Sequence, residues 1–109
     1  MHKIEATHVM KYPIAIEPGD ENQAYGVVVP DLPGCFSAGD TLDEAIVNAK
    51  EVIELWMGTV VEDEGSIPYP SPTGDFQTDP EFSGWIWAVV DVDLSKLSKK
   101  SGRVKITLP

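Results

Sequence analysis

The chain has 109 residues, enough for one domain with a real core and too few for two. Its 42% hydrophobic content and three tryptophans exclude a disordered polypeptide, and no apolar run approaches the roughly 18 residues of a membrane span. Charge is unevenly placed: residues 1–95 hold all 18 acids against Lys3, Lys11 and Lys50, a local charge of −15, while residues 96–109 hold five cations and no acid, +5. Such a body repels phosphate backbones and attracts basic proteins, and the tail does the opposite.

Residues 1–10 include His2, Lys3, Glu5 and His8 and lack an apolar h-region, so they read as a flexible extension and not as a secretory signal. Met10 is a second possible start. The single Cys35 cannot form an internal disulfide, which fits a reducing cytoplasm. Tyr12 to Glu17 alternates Tyr12, Ile14 and Ile16 against Pro13, Ala15 and Glu17, a strand period. The polar segment 18–22 turns the chain into a second strand, Tyr25 to Pro30, giving an antiparallel hairpin with a long loop. Asp31-Leu32-Pro33-Gly34 is a turn, and Cys35 to Ala38 forms a short third strand.

Thr41 stands at an N-cap position with Glu44 three residues later, the capping-box spacing. Leu42, Ala45, Ile46, Ala49, Val52, Ile53, Trp56, Met57 and Val60 then recur at helical intervals, and the helix should end near Gly65. Glu62, Asp63 and Glu64 oppose the dipole at that end. Residues 66–84 read as an irregular connection, in which Asp79 and Pro80 can open one helical turn. Trp85 to Leu94 is a strand with an apolar face of Ile86, Ala88, Val90, Val92 and Leu94. Its other face grades from Trp85 and Trp87 through Val89 to Asp91 and Asp93. Arg103 to Leu108 alternates once more. These elements predict a two-layer α+β fold, an antiparallel sheet of three to four strands packed on one long helix.

The catalytic inventory is thin. His2 and His8 lie in the extension, without a rigid frame for a metal or a nucleophile pair, and Cys35 reads as a small buried residue. Asp31, Asp40, Asp43 and Glu44 suit a turn and a helix start. Asp91 and Asp93 could together hold Mg²⁺, the basis of an alternative reading as a metal-dependent nuclease, but a body of charge −15 repels the substrate. No catalytic residue, metal or cofactor is expected.

The run from Tyr25 to Met57, with Val29-Pro30-Asp31-Leu32-Pro33-Gly34-Cys35 followed by Ser37, Gly39-Asp40-Thr41 and Glu44-Ala45, resembles the signature of HicB-like antitoxins. The segments 11–17 and 67–72 resemble the family as well, and the 85–97 strand more loosely. The resemblance implies a partial ribonuclease-H-like domain over residues 11–95 that covers the RNA-binding and active face of a HicA-like, mRNA-cleaving toxin. It also implies that residues 96–109 are a basic linker and the first strand of an incomplete ribbon-helix-helix domain. In that arrangement Arg103, Lys105 and Thr107 face operator DNA, and Val104, Ile106 and Leu108 face a dimer core. Because the chain stops at Pro109, a truncated form is expected, with little specific operator binding; a homodimer is the default assembly. An orphan scaffold without a toxin is a third reading.

For the toxin surface, two candidates stand out. Trp85 and Trp87 are large aromatic anchors beside Asp91 and Asp93, which can meet basic side chains. Glu62, Asp63 and Glu64 are the second candidate, since a cationic partner would ease their misfit with the helix dipole.

Overall fold

Tyr12, Ile14 and Ile16 recur with period two because β1 (Val9–Glu17) turns all three to one face of a sheet, where each is fully buried. The computed structural model describes residues 9–97 and 104–107. In chain order β1 is followed by β2 (Tyr25–Val28), β3 (Phe36–Gly39) and α1 (Leu42–Glu62). Then come β4 (Ser66–Pro68), a single-turn helix α2 (Gly74–Gln77), a 3-10 turn (Pro80–Phe82), β5 (Ile86–Asp93), a second 3-10 turn (Leu94–Lys96) and β6 (Lys105–Thr107). The main sheet is antiparallel with strand order β3-β2-β1-β5, and α1 packs across its inner face. This is the two-layer α+β fold that the sequence pattern predicts.

The sheet begins earlier than that pattern suggests. Val9 and Met10, placed in the N-terminal extension on sequence grounds, pair with Asp93 and Val92, and Met10 is buried. The strong β5 partner extends the ladder past the point where alternation in β1 stops being legible. His2 and His8 lie outside the described residues.

The helix stripe is buried at Ala45, Ala49, Ile53 and Met57, successive residues four apart on one face. Together with Tyr12, Ile14, Ile16, Val27, Val29, Val90 and Val92 they form the main core. Burying the valine, isoleucine and methionine side chains among them stabilises the fold by about 1.5–3 kcal/mol each. Gly39 permits the close approach at its edge, because a Cβ there would stand 2.3 Å from the backbone nitrogen of Ala45.

Thr41 caps α1 as expected, its hydroxyl oxygen accepting from the Glu44 N–H at 3.1 Å. The return bond is displaced by one residue: Glu44 Oε1 accepts from the Asp40 N–H at 3.0 Å instead of from the N–H of Thr41. At the other end the Gly65 N–H reaches the Val60 carbonyl and the Glu64 N–H the Val61 carbonyl, a Schellman closure. The left-handed position of that motif is held by Glu64, with φ of 61°, and not by the glycine one residue on.

Two segments depart from expectation. Residues 66–68, read as irregular, form β4. The C-terminal strand, which the resemblance implies is the first strand of an incomplete ribbon-helix-helix domain, pairs with β4 in parallel through Ser66–Lys105, Ile67–Ile106 and Pro68–Thr107. Ile67 is fully buried and Ile106 half-buried against the core, so the pair closes over the end of α1. The expected cap at Asp79 is present, accepting from the Glu81 N–H ahead of Pro80.

Candidate functional site

Cross-strand register assigns residues to the sheet face turned away from α1. Ala15 lies opposite both Val28 and Trp87, Val28 lies opposite Phe36, Pro13 opposite Val89 and Lys11 opposite Asp91. Directly opposed residues in an antiparallel ladder share a face. Phe36, Val28, Ala15 and Trp87 therefore form one row across all four strands, with Pro13, Val89, Lys11 and Asp91 beside it.

Part of this face is covered by the segment that carries α2 and the first 3-10 turn. Phe82, 6% exposed, meets Trp85 edge-on at 5.2 Å and Trp87 edge-on at 5.4 Å, and Phe76 stacks on Trp87 at 6.3 Å. Such offset and edge contacts are the favoured aromatic geometries. Ala15 and Phe82 are buried yet lie outside the main core, which marks a small second core on the outer face. Trp85 and Trp87 are thus half-buried supports of this layer before they are anchors for anything else.

The acids expected beside them are also engaged. Lys11 Nζ donates to Asp91 Oδ1 at 2.9 Å across the β1–β5 ladder. Asp93 Oδ1 accepts from the N–H of Ser95 at 3.0 Å and its hydroxyl at 2.7 Å, fixing the turn after β5. Asp91 and Asp93, the pair on which the nuclease alternative rests, take part in an ion pair and in a turn respectively. Among the described residues no three His, Cys, Asp or Glu side chains are placed to hold a metal ion.

Glu62, Asp63 and Glu64 are exposed at the end of α1, away from the outer sheet face. There Lys105 Nζ donates to the Glu64 carbonyl at 3.1 Å, so a cation from β6 already meets the negative end of the helix. Lys105 and Thr107, expected to face DNA, are exposed on β6, and the Thr107 carbonyl accepts from the Tyr69 N–H at 2.9 Å. Arg103 lies outside the described residues.

Several linking residues escaped the sequence reading because their partners are remote. Asp31 accepts from the N–H and the hydroxyl of Ser71, at 2.9 and 2.7 Å. Trp56 Nε1 donates to the Pro33 carbonyl at 3.0 Å and Asn48 Nδ2 to the Ala38 carbonyl at 2.8 Å, tying α1 to the turn and to β3. Burial pushes the Cys35 thiol up to about 11, which keeps it protonated and a poor nucleophile near neutrality. An open groove of about 560 Å³ runs between Val9–Lys11 and Tyr69–Pro72, and among the described residues its charged lining groups are Lys11 and Asp75. Phe36 and Val89, 62% and 49% exposed, are large apolar residues that the outer face leaves in water.

Residues 12–109 match the family described as HicB_like antitoxin of bacterial toxin-antitoxin system. The chain is 47% identical over 100 residues to a 14.9 kDa protein of the rep-hol intergenic region of Haemophilus phage HP1, covering 92% of this chain and 74% of that one. It is similar to the crystal structure of the Burkholderia pseudomallei antitoxin HicB, with 39% identity, a TM-score of 0.75, and coverage of 92% of this chain and 76% of that one. It is also similar to a chain of a HicA3 and HicB3 toxin-antitoxin complex, with 29% identity, a TM-score of 0.66, and coverage of 77% and 99%. Among the described residues no helix is long and apolar enough to cross a membrane.

Proposed function

The chain belongs to the HicB-like antitoxin family of bacterial toxin–antitoxin systems, and from that premise we propose that it binds and inhibits a HicA-like, mRNA-cleaving toxin by covering its RNA-binding and active face. The observation that carries this reading is the placement of charge. A folded body with 18 acids and three cations over residues 1–95 offers a cationic nuclease the negative surface that its polynucleotide would otherwise supply. The likeness to a chain of a HicA3 and HicB3 complex supports the same partner class. In this reading the protein acts in the cytoplasm by occupying a surface and performs no chemistry of its own. A form carrying a complete ribbon-helix-helix domain would also dimerise and bind operator DNA through Arg103, Lys105 and Thr107.

The test is inhibition in solution. The purified chain, titrated into its cognate toxin at low ionic strength, should stop RNA cleavage at a fixed stoichiometry, and co-expression should restore growth. Added salt should weaken the complex. If RNA cleavage continues unchanged in the presence of the folded chain, the reading is wrong.

A further inference from the structure

We propose that the toxin docks on the outer sheet face, over Phe36, Val28 and Val89 beside the aromatic layer on Trp87, and that it brings a cationic surface with apolar side chains of its own. This rests on the reading of the chain as an antitoxin and adds the face and its residues.

The row from Phe36 to Trp87 spans three inter-strand spacings, about 14 Å at roughly 4.8 Å each. The aromatic layer of Phe76, Phe82 and Trp85 closes around Trp87, and Ala15 and Pro13 are already buried on this face. Beyond it Phe36 is 62% exposed on the edge strand β3, Val28 is half-buried, and Val89 is 49% exposed on the opposite edge strand β5. Exposed apolar side chains aligned on one face of a sheet mark a surface that a partner covers.

Charge selects that partner. The strands contribute Glu17, Asp91 and Asp93 to this face, and the covering segment carries Asp75, Asp79 and Glu81. Lys11 is the one cation on these elements, and it is tied to Asp91. A second copy of the chain would bring the same carboxylates against their own kind, whereas a basic protein pairs with them at the rim while its apolar groups cover Phe36, Val28 and Val89. At the helix end Lys105 already meets the Glu64 carbonyl, so a cation of the chain itself answers the negative end of α1.

The experiment is calorimetric titration of the full chain with its cognate toxin, inactivated by substitution in its active site. Phe36→Glu and Val89→Glu should each weaken binding about tenfold or more, as expected for contacts central to an interface. Leu55→Glu, 72% exposed on α1, should leave affinity within about twofold. Circular dichroism checks the fold, and Phe36→Ser with Val89→Thr, expected to weaken binding about threefold, replace any charged variant that unfolds. Wild-type binding that survives both outer-face variants overturns this assignment alone, as does equal weakening by Leu55→Glu. Variants that split a dimer in sedimentation yet still bind toxin give the face to a second copy and overturn it too. A folded wild-type chain that binds no toxin overturns both the antitoxin reading and the docking face.

Discussion

The Tyr12 hydroxyl donates to the Pro68 carbonyl at 2.6 Å, joining a central strand of the sheet to the small β4–β6 pair. Tyr12 is fully buried, so the bond is made at the far end of a ring inside the core. Removing the hydroxyl in Tyr12→Phe leaves a carbonyl without its donor and should cost about 1–2 kcal/mol. Urea denaturation should show a lower midpoint with an unchanged slope.

The same residue sets an alkaline limit. Burial first, then the nearby charge of Asp31 and then Tyr69, raise the Tyr12 pKa well beyond the ordinary tyrosine range. The folded state thus holds this proton more tightly than the unfolded chain, and stability should be intact below about pH 10 and fall as pH rises above it. Denaturant midpoints from pH 8 to 11 should show a fall that is reduced in Tyr12→Phe. An unchanged fall in the variant would remove Tyr12 as its cause.

The two ends of α1 call for opposite outcomes. Thr41→Ala deletes the cap acceptor and should destabilise by about 1 kcal/mol. Glu64→Gly relieves a left-handed residue with φ of 61° and also removes an acid from the negative helix end, so it should stabilise by about 0.5–1 kcal/mol. Thermal melts of the two variants should move in opposite directions.

Gly39→Ala should cost about 2 kcal/mol or more, since the added methyl meets the backbone of Ala45 and strand or helix must shift. Gly34, with φ of 79° and no neighbour near a Cβ, should lose less on the same change, and only through backbone strain. Comparing the two by denaturation separates crowding from conformation.

Cys35 is 1% exposed with its thiol pushed up to about 11, so a disulfide reagent at pH 8 should label the native protein far more slowly than the urea-unfolded chain. Equal rates would show that the 29–35 turn opens freely. The exposed Lys11–Asp91 pair predicts the reverse of a structural role: Lys11→Ala should change stability by less than about 1 kcal/mol. By freeing the Asp91 carboxylate it should also speed association with a cationic partner at low salt, a difference readable by stopped flow.

How much was legible can be traced residue by residue. Period-two runs around Ile14 and Val90, the helical stripe through Ile53 and the Thr41 cap follow from local spacing, because each reports which face of one element meets the core. The acidic body and basic tail are likewise properties of the chain itself. Tertiary structure alone decided the rest. Asp91 pairs with Lys11 80 residues earlier, Asp31 with Ser71 40 residues later, and Lys105 with the end of a helix 41 residues before it. Trp87 belongs to an internal aromatic layer because the 74–82 segment folds onto it, and Phe36 is left in water because nothing in the described chain does the same there. Local periodicity tells a side chain which way to face; only the register between distant strands tells it what it will find.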